Sequence, residues 1–293
     1  MNDIDRKIEL KIIKEFWKTE ANNALVWDKS FTDCFYEDEN FKYSDNQYFS
    51  KWKWFKDGEI NLKKTLFGSK SLNNVFIKSF DNENICRGLT YKEFLNMCLP
   101  IIDTLNISKS FEKVMIIGRA SPETTAHMIS VALLGGCHTV LFEDLSSDAI
   151  QSRIEIFSPK IIFIRDGLDN EKVKKIKLAN PIIKILIYSD FNEKSEESNI
   201  AKNEKNNFCS DNDPYKLIPE TQVKSNKLLF CLFTSGSTGK PKAIWHSYGG
   251  YLVYAFYSFK EYFTKSNEAE SFFCGTDAAW INGHTYAIYG PLL

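Results

Sequence analysis

The chain has 293 residues, 43% of them hydrophobic and 26% charged, and 37 basic and 38 acidic residues leave a formal net charge of −1. This composition is typical of a soluble globular protein with one large domain or two ordinary ones. Without a basic excess, the chain lacks the electrostatic footprint of a nucleic-acid-binding protein. No stretch reaches the roughly 20 apolar residues of a membrane span, and the charged N-terminus lacks the apolar run of a secretory signal.

Seven cysteines and four histidines are scattered along the chain, without the spacing of a disulfide framework or a zinc site. The odd number of cysteines and the lack of a CxxC pair predict reduced thiols. We therefore expect a cytoplasmic location or another reducing intracellular compartment.

The first part of the chain is rich in large aromatic side chains. Residues 1–67 contain too many of them for a disordered tail, and these are Phe16, Trp17, Trp27, Trp52, Trp54 and Phe55. We expect this part to form an arm that packs over a larger body spanning residues 68–293, with the tryptophans in packing roles.

Helical and strand patterns alternate from residue 89 onward. Residues 89–105 carry apolar side chains at helical spacing, and a kink or break is expected at Pro100 because proline removes a helix hydrogen bond. KVMIIG (113–118) predicts a short buried strand. SPETTAHMISVALLGG predicts a helix capped by Ser121 and ended at Gly135.

The alternation continues through HTVLF, SSDAIQSRIEIF, KIIFIRD, EKVKKIKLA and IIKILIYS. Continuous apolar strands between amphipathic helices predict βαβ units, and hence an α/β fold with a parallel sheet covered by helices. Right-handed crossovers place the strand C-termini on one edge, where ligands bind. Residues 191–213 interrupt the pattern and, being dense in Asn, Lys, Glu and Ser, are expected to form an exposed, mobile loop.

A glycine-rich segment, TSGSTGKPK (234–242), directly follows the buried strand pattern NKLLFCLF. It is not a Walker A loop, because only two residues separate Gly236 from Gly239 and Pro241 follows Lys240. Its glycines still allow successive backbone N–H groups to face an anion, and its hydroxyl groups and lysines add donors and positive charge. The pattern favours a phosphate-binding loop over the alternative, a Gly/Ser linker.

FTSGSTGKPKA resembles the signature loop of the acyl-adenylate-forming enzymes, which include acyl-CoA synthetases, luciferases and the adenylation domains of peptide synthetases. HSYGGYL (246–252) and FFCGTDAAWINGHTYAIYGPLL (272–293) are similar to the acetyl-CoA synthetase branch, as are WFKDGEINL (54–62) and LTYKEFLNMC (89–98). Several motifs in one order over most of the chain make this resemblance specific. It implies an incomplete large, N-terminal domain of an adenylate-forming enzyme.

The resemblance implies an ATP-dependent acetate–CoA ligase, which activates a carboxylate as an acyl-adenylate and then forms a thioester with coenzyme A. It implies small-molecule substrates, namely a short-chain carboxylate, ATP with Mg²⁺ and coenzyme A, and no nucleic acid or membrane. Two alternatives stay open: a ligase for propionate or another short-chain acid, and a non-catalytic, degenerate nucleotide-binding copy. A Rossmann dehydrogenase does not fit, because no G-x-G-x-x-G follows the first strand.

By resemblance, the residues that bind the ATP phosphates are Thr234, Ser235, Gly236, Ser237, Thr238, Gly239 and Lys240. The acyl and coenzyme A pocket would include Trp280, Ile281, Asn282, Gly283 and His284. Ile281 and Asn282 stand where acetyl-CoA synthetases commonly have Val and Thr, which leaves the acid open. Trp280 could equally be a core residue, and we expect a structural hydrogen bond from His284 rather than a role as general base.

Short-chain members commonly carry an Arg-x-x-Arg clamp for the 3′-phosphate of coenzyme A. Here Asp169 and Lys172 occupy the corresponding positions, so Lys172 is the remaining candidate contact. The adenine- and ribose-binding segments of the family, and its C-terminal domain with a lysine that assists adenylation, correspond to sequence beyond YGPLL. We therefore expect a fragment that is inactive alone, with no catalytic residue of its own, or a degenerate copy.

Overall fold

The structure, a computed structural model, describes residues 3–39, 41, 47–80, 86–109, 112–189, 213–234, 240–264 and 271–293. Its helices are α1 (Asp3–Ala24), α2 (Leu62–Phe67), α3 (Tyr91–Ser108), α4 (Pro122–Leu133), α5 (Ser147–Phe157), α6 (Asn170–Ala179), α7 (Pro214–Leu217), α8 (Tyr248–Phe263), a π-helix (Gly283–Tyr289) and α9 (Gly290–Leu292). Its strands are β1 (Trp27–Lys29), β2 (Asp33–Glu37), β3 (Gln47–Tyr48), β4 (Trp52–Lys56), β5 (Glu59–Asn61), β6 (Val75–Phe80), β7 (Cys86–Thr90), β8 (Lys113–Ile117), β9 (Cys137–Leu141), β10 (Ile161–Arg165), β11 (Lys184–Tyr188), β12 (Gln222–Lys224), β13 (Leu228–Thr234) and β14 (Lys242–Ser247).

A seven-stranded sheet in the order β11-β10-β8-β9-β13-β14-β3 forms the centre of the fold. The five strands from β11 to β13 are parallel, as the sequence predicts, and β14 joins β13 antiparallel. Smaller antiparallel sheets, β1-β5-β12, β2-β4 and β6-β7, lie beside it. The sequence analysis did not identify β14 as a strand, although its buried Ala243 and Trp245 alternate with less buried residues.

Helices cover both faces of the central sheet because its strands are buried on both sides. In β8, Val114 and Ile116 belong to the hydrophobic cluster that includes α3, α4 and α8. Met115 and Ile117, between and after them, belong to the cluster that includes α5 and α6. This two-residue alternation, with both faces buried, explains the continuous apolar strands.

The predicted break at Pro100 does not occur, because α3 runs unbroken from Tyr91 to Ser108, whereas a kink there stays a prediction. Proline removes the hydrogen bond to the carbonyl four residues earlier, at Asn96. Both residues are only partly buried. Thr90 and Glu93 form a capping box that stabilises the helix start.

The N-terminal aromatic residues pack against the rest of the chain. Phe55 is fully buried in the same cluster as Phe94. The Trp17 ring centroid lies 5.6 Å from that of Trp54 and 5.4 Å from that of Tyr257 in α8. Trp17, Trp54 and Phe55 thus have packing roles, whereas the N-terminal arm and its boundary at residue 67 stay predictions. The predicted loop at 191–213, apart from its last residue, lies outside the described residues.

In the described part of the chain, no helix is long and apolar enough to cross a bilayer. The six cysteines described there are free thiols. Among the same residues, no group of three or more His, Cys, Asp and Glu side chains could hold a metal ion.

Tyr248 joins α8 to the turn that ends α4. It is fully buried, and its hydroxyl group lies 3.0 Å from the carbonyl oxygen of Ala132 and 2.7 Å from that of Gly136. The last carbonyl groups of a helix have no partner within the helix. The Tyr248 hydroxyl therefore satisfies acceptors at the predicted Gly135–Gly136 helix stop.

We expect Tyr248→Phe to lower the free energy of unfolding by about 1–2 kcal/mol, because it removes the donor to the buried Gly136 carbonyl group. The Ala132 carbonyl group keeps the N–H of Gly135 as a donor. Urea unfolding followed by circular dichroism measures this difference. Tyr254→Phe, on the same helix at 52% exposure, is the matched control and should change stability by less than about 0.5 kcal/mol. Equal effects of the two substitutions would contradict this role of Tyr248.

Candidate functional site

The strands β8, β9, β10 and β13 are parallel and end at one edge of the sheet, at Ile117, Leu141, Arg165 and Thr234. The chain passes from β8 to β9 in one direction across the sheet and then returns past β8 to β10. The connections that leave the neighbouring strands β8 and β10 therefore run in opposite directions, which places the switch point between these two strands. In open α/β sheets, ligands bind in the crevice at this position.

The segment before the π-helix lies over this edge. The Asp277 carboxylate accepts hydrogen bonds from the backbone N–H of Ala120, which follows β8, at 3.1 Å and from that of Ala279 at 2.8 Å. The ring centroid of Trp280 lies 5.7 Å from that of Phe142, which follows β9. Because Trp280 is 55% exposed, the alternative of a core tryptophan is excluded.

Charged side chains surround the turn after β9. Glu143 Oε1 lies 3.5 Å from the guanidinium of buried Arg165 without completing a hydrogen bond, so this contact is electrostatic. Lys172 Nζ donates a 2.8 Å hydrogen bond to the Glu143 carbonyl oxygen. Asp169 caps α6, and the hydrogen bond from the Lys172 backbone N–H lowers the pKa of its carboxyl group. The structure thus brings Lys172 and Trp280 to the same turn.

The predicted phosphate-binding segment begins where β13 ends. Thr234 is paired with Lys242 of β14 across an antiparallel ladder, whereas residues 235–239 lie outside the described residues and Lys240 is exposed. Phe230 is in register with His138 of the parallel β9, so Thr234 and Phe142 both lie four residues further along the chain toward the same edge of the sheet. Ala243 lies in β14 without a positive φ, so it does not need to be glycine.

The predicted acyl-pocket residues divide between an exposed and a buried group. Ile281 and Asn282 are exposed, whereas Gly283 and His284 are buried at the start of the π-helix. The N–H of Gly290 bonds to the carbonyl of Thr285, which is the five-residue spacing of a π-helix. π-helical turns are rare and occur frequently at functional sites.

A cluster of stacked rings holds the π-helix against the sheet. Phe230, fully buried in β13, lies 4.4 Å from the ring of His284, 4.5 Å from that of His246 and 4.5 Å from that of Tyr251. His138 Nε2 lies 2.9 Å from the hydroxyl oxygen of Tyr289 in the π-helix.

Burial lowers the pKa of each histidine in this cluster. It lowers the pKa of His284 to about 3 and that of His246 to about 4, and it holds the pKa of His138 well below 6.5. The carbonyl groups of Trp280 and Ala278 raise the pKa of His284 slightly. Neither nitrogen of that ring has a hydrogen bond of full geometry within the described part of the chain, although the two carbonyl groups act as acceptors near it. The expected structural hydrogen bond from His284 stays a prediction.

The sequence analysis missed several residues that shape this edge, namely Ala120, Phe142, Glu143, Arg165 and Asp277. The available signal was a charged or aromatic residue directly after an apolar strand, as in VLFED and IIFIRD. The strand order that brings these turns together could not be obtained from those signals alone.

A central, mostly parallel sheet with helices on both faces is the architecture of adenylate-forming enzymes. Acetoacetyl-CoA synthetase from Streptomyces lividans matches this structure with a TM-score of 0.77 at 17% sequence identity, over 96% of this chain and 43% of that chain. This likeness shows the fold. The profile of the AMP-binding enzyme family matches residues 74–293, and the chain belongs to this family.

Similarity to curated proteins is consistent with this family. The acetyl-coenzyme A synthetase of Campylobacter jejuni is 30% identical over 295 residues, which cover 94% of this chain and 43% of the relative. That of Penicillium chrysogenum is 31% identical, over 95% of this chain and 42% of the relative. The chain therefore spans less than half the length of the curated relatives it matches.

We expect Gly283→Ala to disturb the start of the π-helix. A Cβ atom at this position would lie 2.0 Å from the carbonyl oxygen of Asp277, a backbone atom that cannot rotate away. Forced repacking of this kind costs about 1–3 kcal/mol, measurable as a lower free energy of unfolding in urea. At Gly275 the nearest atom is in the Phe273 ring at 3.5 Å, so Gly275→Ala is the control. A well-tolerated Gly283→Ala would disprove the close approach.

We expect mild acid to destabilise the fold. His127 has a pKa of about 4 when folded, as has His246, and His284 has one of about 3, against 6.5 for ordinary histidine. Below pH 6.5 the unfolded chain therefore binds protons that the folded chain does not. Stability is fully present above pH 6.5 and falls toward pH 4, by up to about 1.4 kcal/mol per pH unit for each histidine.

Urea unfolding between pH 7.5 and 5.5, above most carboxylate titration, measures this slope. His127→Phe is the comparison variant, because the ring that lies 4.4 Å from Phe163 and 4.3 Å from Tyr188 is kept while one titrating group is removed. It should reduce the slope of unfolding free energy against pH by about half a proton at pH 6.5 and by nearly one proton at pH 5.5. An unchanged slope in this variant would contradict a neutral, buried His127.

Proposed function

We propose that the chain forms the part of an ATP-dependent acetate–CoA ligase that holds the nucleotide phosphates and the acyl group. The observation that carries the proposal is the position of two predicted segments at one sheet edge. Thr234 ends β13 four residues after Phe230, which is in register with His138 of β9, and the ring of Phe142, directly after β9, contacts Trp280. The choice of acetate as the acid and of coenzyme A as the acceptor rests on the curated relatives, which are named acetyl-coenzyme A synthetases.

The proposed phosphate site is the segment from Thr234 to Lys240. Thr234, at the end of β13, is paired with Lys242 of β14, so the chain before and after this segment is held by the same ladder. Its hydroxyl groups, backbone N–H groups and the Lys240 ammonium group would donate to the β- and γ-phosphates, and charge-assisted hydrogen bonds of this kind contribute about 1.5–3 kcal/mol each. Mg²⁺ would arrive with the triphosphate, since it prefers phosphate oxygens together with few protein ligands.

The proposed acyl site is the exposed group before the π-helix. Trp280 offers an apolar surface of which 55% is open, and Ile281 is 39% exposed. Asn282 adds an amide next to them. A small carboxylate needs only a small apolar surface and few donors, so these side chains are the proposed determinants of acid size. Ile281 and Asn282 differ from the smaller Val and Thr that acetyl-CoA synthetases commonly have at these positions, so the identity of the acid stays open. Propionate or another short acid is the alternative substrate.

Lys172 is the proposed contact for the 3′-phosphate of coenzyme A. Its ammonium group bonds to the uncharged Glu143 carbonyl, so two of its three donor hydrogens remain for other acceptors.

The chemistry needs positioning more than proton transfer. A carboxylate is ionised at neutral pH and can attack the α-phosphorus of ATP without a general base, with pyrophosphate as leaving group. The thiol of coenzyme A would then attack the acyl carbon, with AMP as leaving group. Donors fixed around the departing phosphates stabilise the charge that develops there. This fits His284, whose lowered pKa and burial make it unsuited to base catalysis here.

We expect the 293-residue chain to bind MgATP and Lys240→Ala to weaken this binding about tenfold, equivalent to about 1.4 kcal/mol. Isothermal titration calorimetry measures the dissociation constant. Lys184→Ala is the matched control, because Lys184 is exposed at the opposite end of the parallel strands, where β11 begins. Failure to bind MgATP, or equal weakening by both substitutions, would contradict the proposed phosphate site.

A further inference from the structure

Tyr188 connects the end of β11 to the turn that follows β8. It is 4% exposed, and its hydroxyl oxygen lies 3.0 Å from Thr124 Oγ1 in the first turn of α4. The Thr124 hydroxyl group donates its single hydrogen to the carbonyl oxygen of Arg119 at 2.7 Å. Tyr188 is therefore the donor in the contact between the two hydroxyl groups. Two buried hydroxyl groups thus link the edge strand β11 to a turn that lies two strands away in the sheet.

The turn after β8 leaves room for the Tyr188 hydroxyl group because residue 118 is glycine. A Cβ atom on Gly118 would lie 2.1 Å from the Tyr188 hydroxyl oxygen. The Tyr188 ring also lies 4.3 Å from the ring of His127 in α4. Close packing on the ring and on the hydroxyl group therefore fixes the position of this side chain.

The turn after β8 also holds the segment of the proposed acyl site. Ala120 in this turn donates its N–H to the Asp277 carboxylate at 3.1 Å. The same carboxylate accepts the N–H of Ala279 at 2.8 Å, and the Asp277 carbonyl oxygen accepts that of Trp280 at 3.1 Å. The position of Trp280 therefore depends on Asp277, which in turn depends on where the turn places the Ala120 N–H group.

The buried hydroxyl pair constrains a turn whose own residues are exposed. Arg119 and Ala120 are both exposed, so their backbone hydrogen bonds compete with bonds to water. Thr124, by contrast, is fully buried and makes its contacts away from solvent. Buried groups that support a binding segment in this way control its geometry, and a displacement of about 1 Å is enough to weaken function strongly.

We propose that Tyr188 and Thr124 are positioning residues of the acyl site. They hold the turn after β8, and this turn places Trp280 through its hydrogen bond to Asp277. Removal of either hydroxyl group shifts the Trp280 indole at the sheet edge. The inference rests on the proposed function in one respect, namely that the exposed surface of Trp280 receives the acid.

Fluorine NMR of the 293-residue chain, labelled with 5-fluorotryptophan, tests the coupling. The chain has six tryptophans, and Trp280→Phe identifies the resonance of Trp280. We expect Tyr188→Phe, which keeps the ring and removes only the hydroxyl group, to move this resonance by more than any other. Trp245 is the internal reference, because its ring stacks on Phe49 and Phe157 in the other hydrophobic cluster.

Matched variants separate positioning from a general loss of packing. Thr124→Val removes the second hydroxyl group at nearly constant shape and should move the Trp280 resonance as Tyr188→Phe does. The double variant should add little, because both changes break the same contact. Thr124→Ser keeps the hydroxyl group and should leave the resonance in place. Tyr254→Phe, at an exposed position of α8, is the control and should move none of the six resonances.

Titrations with sodium acetate and with sodium propionate, followed by the same resonance, test the link to the acyl site. We expect at least one of these salts to move the Trp280 resonance of the wild-type chain, and Tyr188→Phe to raise its dissociation constant about threefold or more. A wild-type resonance that neither salt moves would contradict the proposed acyl site, whereas the coupling itself is measured without any acid.

Four results would overturn the positioning role. The first is an unmoved Trp280 resonance in Tyr188→Phe. The second is a similar shift of all six resonances, which would indicate a general loosening of the fold. The third is an equal effect of Thr124→Ser and Thr124→Val, and the fourth is an unchanged dissociation constant for the acid in Tyr188→Phe. Because no sample contains ATP, failure here is distinguishable from failure of the phosphate site.

Discussion

The packing of rings around Phe230 fixes the part of the structure on which the candidate site depends. Phe230 is fully buried in the central sheet and contacts His246 of the next strand, His284 of the π-helix and Tyr251 of α8. A charged imidazole would be costly in this dry interior, so only the neutral form fits. The stack therefore attaches the π-helix to the sheet through apolar contact, and the Tyr289–His138 contact fixes its far end.

This attachment explains why the exposed Ile281 and Asn282 directly precede the buried Gly283 and His284 in the sequence. His284, at the start of the π-helix, is held in the core, and the residues before it lie at the sheet edge. There the Asp277 carboxylate accepts a hydrogen bond from the backbone N–H of Ala120. The site is thereby carried on strand ends and a helix start, which are more rigid than a free loop. At the segment proposed to bind phosphate, Thr234 and Lys242 lie opposite each other in the β13–β14 ladder.

The parts of this arrangement that follow from short-range pattern could be predicted from the sequence. The periodicity of apolar residues predicted the alternation of strands and helices. Ser121 and Gly135 predicted the start and the end of α4, because cap and stop residues act locally. The continuity of α3 through Pro100 could not be predicted, since it depends on how exposed one carbonyl is after packing. The Glu143–Arg165 contact was equally inaccessible, because it joins strands β9 and β10, which are separated in the sheet by β8.

Two basic side chains, Arg165 and Lys172, lie at the turn after β9. The sequence alone does not show which of them is better placed to bind an anion. Arg165 is buried and faces the Glu143 carboxylate at 3.5 Å, so its charge is largely compensated within the protein. Lys172 instead bonds to the neutral Glu143 carbonyl, and the carboxylate of Asp169, which caps its helix, is exposed and screened by water. An anion that approaches this turn would therefore gain more from Lys172 than from Arg165. Burial and partner identity, rather than the presence of a basic residue, select the group that can meet a phosphate.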